Sequence, residues 1–250
     1  MLLNVQNRGM AYEPRIYRRR VDAASLVPFH VAVKETDLAI SARRDLTAEA
    51  LGLVRALRGD LETFVASNPR FAETFVPYEV PEGAPPIVAD MARAAAVAQV
   101  GPMAAVAGAM AEHVARGLAV YSDEVIVENG GDCYLIGSTE RVAAVHAGGS
   151  PMSGRFGIVI PARLQPVAVC TSSATVGHSV SLGRADAAVV IARNGALADA
   201  VASALGNRVH SGEDIQRAIE AVKHLDGVQG LAVVAGGTLG VWGVARLVPL

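Results

Sequence analysis

Apolar residues along this chain fall into short continuous runs bounded by glycine, proline and polar clusters, and into longer stretches at helical spacing. HVAVKETDLAIS (30–41) reads as two short strands around Lys34 to Asp37. Further strands are expected at EVIVE (124–128), GIVIPA (157–162), PVAVC (166–170), AAVVIA (187–192), LAVVAG (231–236) and GVARLV (243–248). Leu51, Val54, Leu57 and Leu61 recur at helical spacing behind the candidate N-cap Asp45, predicting a helix that runs towards Val65. AAAVAQVGPMAAVAGAMA (94–111) is broken by Gly101-Pro102 and reads as two buried helical pieces. Pro102 sits in the first turn of the second, where its missing N–H costs nothing; that helix reaches about Leu118 and sets Glu112 and Arg116 to pair at i,i+4. Two more helices are expected, one over 196–205 and one opening on a Ser211/Asp214 capping box with Ile215, Ile219 and Val222 on one face. Five prolines between 69 and 86 mark a loop that crosses the molecule. Strands and helix pairs alternate without a regular βαβ rhythm, which predicts an α+β fold with antiparallel sheets.

Composition narrows the function classes. At 250 residues and 52% apolar content the chain can bury a sizeable core as one large domain or two small lobes. A net charge of −2 gives no reason to expect nucleic acid or a membrane surface as partner, and the run Arg18 to Arg20 reads as solvated. Two cysteines, Cys133 and Cys170, make no disulfide framework. The N-terminus lacks the apolar core of a secretory signal, and the alanine-rich stretch is too weakly apolar and too broken to span a membrane. A cytoplasmic protein is the expectation; oligomeric state is not fixed, and a homo-oligomer is compatible with the sequence.

Three stretches could carry chemistry. In GALADAVASALGN (195–207) a nearly all-apolar helix carries only Asp199 and Ser203 as polar residues before its closing Asn207, four apart and so on one face. They could offer oxygen ligands to Mg²⁺, or form no more than a polar edge on an alanine-rich helix. VENGGDCYL (127–135) ends a strand on Asn129, Gly130, Gly131 and Asp132; its glycines suit either a phosphate-binding turn or an ordinary hairpin. CTSSATVGHSVSLG (170–183) places Thr171, Ser172, Ser173, Thr175, Gly177 and His178 after a strand. Cys170 and His178 could form a nucleophile and base, but a buried inert thiol and a structural histidine satisfy the same residues. His113, His146, His210 and His224 show no ligand spacing.

KETDLAISARRDL, GPMAAVAGAMAEHVARG, SDEVIVENGGD, VCTSSATVGHSVSLGRADAAVVIA, ADAVASALGN and LGVWG, in this order from about residue 34 to residue 243, together resemble an uncharacterised bacterial and archaeal family of the ApbE-like superfamily. Its better-known relatives are the FAD:protein FMN transferases, Mg²⁺-dependent enzymes once annotated under thiamine biosynthesis. The resemblance implies an α+β, T-fold-like two-lobed architecture, one ApbE-like domain over 1–250, with the segment 69–86 crossing between intertwined lobes and a cleft between them. It implies Asp199 and Ser203 as metal ligands, with the Ala107 carbonyl as a third, through the match of Ala198 to Ala204 to the transferases' metal helix. It implies nucleotide contacts from Asn129 to Asp132 and from Thr171, Ser172, Ser173, Thr175 and Gly177, and His178 as the catalytic residue. The transferases' acid, proline and threonine after that histidine are replaced here by SVSLG (179–183), and their FAD-contacting N-terminal segment has no counterpart. The function implied is a Mg²⁺-dependent enzyme, an ApbE-like transferase, acting on a flavin such as FAD or on another nucleotide diphosphate. The alternatives are sulfur transfer or other chemistry through Cys170 on the same scaffold, and a non-catalytic ligand-binding protein.

Overall fold

The computed structural model describes residue 23 and residues 25–175 and 182–250. Its centre is an antiparallel sheet of eight strands in the order β1-β2-β3-β4-β7-β8-β9-β10. These are β1 (Val27–Val33), β2 (Thr36–Ala42), β3 (Val125–Asn129), β4 (Asp132–Ile136), β7 (Val167–Ser172), β8 (Ala187–Ala192), β9 (Val228–Ala235) and β10 (Thr238–Gly243). A second sheet of three strands joins β5 (Arg141–Ala144), β6 (Phe156–Ile160) and β11 (Arg246–Pro249) in the order β11-β6-β5. The helices are α1 (Thr47–Ser67), α2 (Pro69–Glu73), α3 (Pro86–Ala98), α4 (Val106–Leu118), α5 (Gly195–Asn207) and α6 (Ile215–Val222), with a 3-10 turn over Pro102–Ala105 leading into α4.

Side-chain alternation explains the layering. Along β8, Ala188, Val190 and Ala192 face the helices, while Ala187, Val189 and Ile191 face the small sheet. The same split divides Ala168 and Cys170 from Val167 and Val169 on β7, and Leu231, Val233 and Ala235 from Ala232 and Val234 on β9. An antiparallel strand with one wet face would alternate apolar and polar residues. Here both faces of the central strands are covered, so AAVVIA and LAVVAG run apolar throughout. The fold is therefore a helical layer, a large sheet and a small sheet, a mixed α+β architecture with two apolar cores.

A buried ion pair ties the two sheets together. Arg141, which opens β5, donates at 2.8 Å to the Glu124 carboxylate beside β3, and the side chains of both are about 97% buried. Glu124 also accepts from the Ser138 amide at 3.1 Å and the Thr139 hydroxyl at 2.8 Å. Burial alone would raise this carboxyl, but the Arg141, Ser138 and Thr139 donors outweigh it and hold Glu124 down at about 2.

Several sequence expectations need correction. Strand β4 and strand β5 were not anticipated, since DCYLI and RVAA are short and follow directly on turns. GVARLV is not one strand: Gly243, at a φ of +70°, ends β10, and β11 starts afresh at Arg246 in the other sheet. The prolines of 69–86 do not exclude regular structure, because Pro69 starts the short helix α2. Among the described residues no single helix is long and apolar enough to cross a membrane; the pair α3 and 102–118 bends by 104° and packs into the helix-side core.

Candidate functional site

Helices α4 and α5 cross so closely that neither tolerates a side chain at the contact. A β-carbon at Gly108 would stand 2.2 Å from the Gly195 carbonyl oxygen, and one at Gly195 would stand 2.2 Å from that of Gly108. At this crossing the Gly108 amide donates to Asp199 Oδ2 at 2.9 Å, so an acid on α5 caps the first turn of α4. Ala107 is the preceding residue, and its carbonyl accepts from Asn129 Nδ2 at 3.2 Å. Ser203 lies one turn beyond Asp199, and both are half-buried.

Asn129 and Asp132 face each other across a two-residue hairpin turn, Gly130-Gly131, with φ values of +66° and +110°. Positive φ at both central positions is what joins two twisted antiparallel strands, and glycine adopts it without strain. The Gly131 amide donates to Glu128 Oε1 at 2.7 Å. Asp132, 6% exposed, accepts from the Thr171 amide at 3.0 Å. Burial pushes the Asp132 carboxyl well above the usual carboxylate range; the Thr171 amide and Cys170 thiol pull it down, and the Glu128 charge raises it. Burial, then the charge of Asp132, pushes Asp199 well above the usual carboxylate range, against the pull of the Gly108 and Ala107 amides. Among the described residues no cationic side chain contributes to either shift.

Cys170 lies in this cluster, fully buried, with its thiol directed at the Gly195 carbonyl oxygen at 3.7 Å. Burial, followed by the charges of Asp132 and Asp199, pushes this thiol well above its ordinary value. A nucleophilic cysteine needs the opposite environment, so the geometry speaks against the sulfur-transfer reading.

The expected site residues divide between the two faces of the sheet. Asn129, Asp132 and Asp199 gather on the helix side with Ala107, while Ser172 packs towards Gly206 of α5. Glu128, Thr171 and Ser173 lie on the other face, where the two sheets enclose a cavity of about 440 Å³. Phe29, Ile126, Ile158 and Val169 give it apolar walls, and Cys133 and His146 join its polar edge with the two glycines of the hairpin. Thr175 donates its amide to Ser173 Oγ at 3.1 Å in a turn beyond the strand. Gly177 and His178 lie outside the described residues.

Some of these residues carry no sequence signal of their own. Glu128 and Cys133 follow from strand alternation once the Gly130-Gly131 turn is recognised, because they pair across it. His146 sits in the connection between β5 and β6, and only the packing of the small sheet brings it to the cavity. Glu112 reads as the partner of Arg116, which it is at 2.7 Å, but nothing local foretells that its other oxygen receives the Gly195 amide at 2.5 Å.

Comparison with known proteins agrees with this architecture. The "UPF0280 protein" of Methanocella arvoryzae is 39% identical over 212 residues, covering 84% of this chain and 86% of its own length. The protein of the same name from Methanosarcina acetivorans is 39% identical over 220 residues, covering 86% and 85%. Among solved structures, the flavin transferase ApbE from Vibrio cholerae superposes with a TM-score of 0.56 at 12% identity, over 87% of this chain and 96% of that one. The Pseudomonas stutzeri flavinyl transferase ApbE, in its apo form, gives 0.55 at 13% identity, over 87% and 94%. At such identities the likeness shows the fold. The family described as "AbpE bacteria" matches residues 18–236, and with these relatives it establishes that the chain belongs to that ApbE-like family.

Proposed function

We propose that this protein binds a flavin nucleotide such as FAD, or a closely similar nucleotide diphosphate, together with Mg²⁺ where α4, α5 and the β3–β4 hairpin meet. The observation that carries the reading is a pair of acids, half-buried Asp199 and buried Asp132, each driven towards its protonated form with no cationic side chain among the described residues contributing to the shift. A divalent cation would relieve both. The donor set suits a hard ion: the Asp199 carboxylate, the Ser203 hydroxyl and the Ala107 carbonyl are all oxygen ligands, which Mg²⁺ prefers. Bound there, it would offset the negative charge of a diphosphate.

The cavity on the other face suits the apolar ring of such a ligand. Its walls are hydrocarbon and aromatic, and Thr171 and Ser173 supply hydroxyls at one end. Gly130 and Gly131 have no other atom within 4 Å of where a β-carbon would stand, so the hairpin tip leaves space for a chain of phosphates to pass between the faces. Asn129 and Asp132 orient the helix side of that path. The resemblance to flavin transferases assigns His178 the task of positioning or deprotonating an attacking hydroxyl. The solved neighbours are a flavin transferase and a flavinyl transferase, and transfer of a flavin or nucleotide moiety to an acceptor is the reaction class proposed here.

Cys133 offers a direct test, because it lines the cavity while Cys170 is fully buried. Maleimide is expected to modify Cys133 slowly, because burial and the charges of Glu128 and Asp132 push its thiol up, and to spare Cys170, which is closed to solvent, in the folded protein. FAD with Mg²⁺ should slow modification of Cys133, and Asp199→Asn should weaken that protection about tenfold or more, the scale of losing a metal contact. Protection that is equal without Mg²⁺ would sink the metal assignment; no protection at saturating FAD would sink the placement of the ring.

A further inference from the structure

The crossing of α4 and α5 contains a reciprocal exchange. Gly108 in the first turn of α4 gives its amide to Asp199 of α5 at 2.9 Å. Gly195, the first residue of α5, gives its amide to Glu112 of α4 at 2.5 Å. In each helix the acid lies four residues after the glycine, so the two contacts repeat one pattern with the helices interchanged. Neither helix could cap these first-turn amides alone, since residue 105 before α4 is alanine and the Asn194 side chain before α5 is spent on the Leu197 amide.

The two acids differ in what else they meet. Glu112, 5% exposed, receives the Arg116 guanidinium at 2.7 Å on its second oxygen. Arg116 also donates to the Tyr134 hydroxyl at 2.7 Å and lies 5.4 Å from that ring's centre, and the Tyr134 hydroxyl donates to the Arg193 carbonyl at 3.3 Å. Glu112 is thus fixed from α4, from β4 and from the residues entering α5. Among the described residues Asp199 meets only backbone donors, and it is a half-buried acid at the candidate site.

We infer that Glu112 is a positioning residue, which by gripping the first amide of α5 locks that helix against α4 and so holds Asp199 against the Gly108 amide. Its charge is satisfied by Arg116, so the exchange leaves one acid as an anchor and one for the ligand. The consequence for Mg²⁺ rests on the function proposed above; the mechanical coupling between the two amides does not.

Amide hydrogen exchange of Glu112→Gln tests the coupling without any ligand. Exchange at both Gly195 and Gly108 is expected to speed up at least tenfold relative to Val159 in β6, a core position on the far sheet. Faster exchange at Gly195 with Gly108 unchanged would overturn the inference, and so would a uniform increase that includes Val159, the mark of general destabilisation. Should Glu112→Gln fail to fold, Asp199→Asn provides the reverse reading: it must loosen Gly195 as well as Gly108, and an unchanged Gly195 refutes the exchange. In a parallel titration, the Mg²⁺ concentration that half-saturates FAD binding should rise about tenfold in Glu112→Gln, as for other outer-shell partners of metal ligands. An unchanged Mg²⁺ requirement in a well-folded variant would contradict the positioning role. A wild-type protein with no Mg²⁺-dependent FAD binding would remove the proposed function instead, and the exchange rates alone would then decide the coupling.

Discussion

Replacing Gly108 with alanine is expected to destabilise the protein by about 3 kcal/mol, at the upper end of the usual cost of overpacking. The new β-carbon would meet the Gly195 carbonyl oxygen at 2.2 Å and the Asp199 β-carbon at 2.8 Å. A flexible side chain could move aside, but a helix backbone inside a packed layer cannot do so without parting α4 from α5. For a chain of this size the midpoint of thermal unfolding should fall by roughly 6–12 °C. Gly59→Ala is the matched control: it lies in α1 with nothing within 4 Å of the added carbon, so it should stabilise by about 0.5–1 kcal/mol through helix propensity. Equal melting of wild type and Gly108→Ala would show that the helices do not touch as described.

Removing the charge of Glu124 should have an effect of similar or greater size. Glu124→Gln would take the Glu124 charge away from the buried Arg141 guanidinium, and breaking such pairs costs about 3–5 kcal/mol. The same pair predicts acid sensitivity. The folded-state carboxyl lies at about 2, below its ordinary 4.5, so its contribution is complete above pH 4.5 and is lost as pH falls towards 2. Urea unfolding of wild type and Glu124→Gln between pH 7 and pH 3 should converge as the pH falls. Parallel curves across that range would contradict this account.

Much of the layered architecture is legible in local patterns. The runs AAVVIA and LAVVAG mark strands covered on both faces, and the Ser211/Asp214 capping box forms where it is expected. The strands that escape notice are those whose partners decide them. DCYLI becomes β4 because Gly130-Gly131 folds it back on β3, and RLVP divides from the preceding strand because Gly243, at positive φ, ends β10 and the chain then pairs with β6. The candidate site is half legible for the same reason. Asp199 and Ser203 stand out as polar residues on an apolar helix, but no local pattern says that Gly108 and Gly195 touch, or that Glu112 reaches across to α5. Glycine is equally common in turns, and only the tertiary crossing shows why these two positions exclude a side chain. Alternation, likewise, places Thr171 and Ser173 opposite Ser172, but the cavity they line exists only once the second sheet is packed above them.

We propose that Asp199, Asp132 and the cavity across the sheet form a single metal-dependent nucleotide site. Calorimetric titration of the purified protein with FAD, in the presence and absence of Mg²⁺ and repeated with Asp199→Asn, tests it most directly. Binding to the wild type that requires Mg²⁺, and falls about tenfold or more in Asp199→Asn, is the predicted result. No binding with Mg²⁺ present, or binding of equal strength without the metal and in the variant, would contradict it.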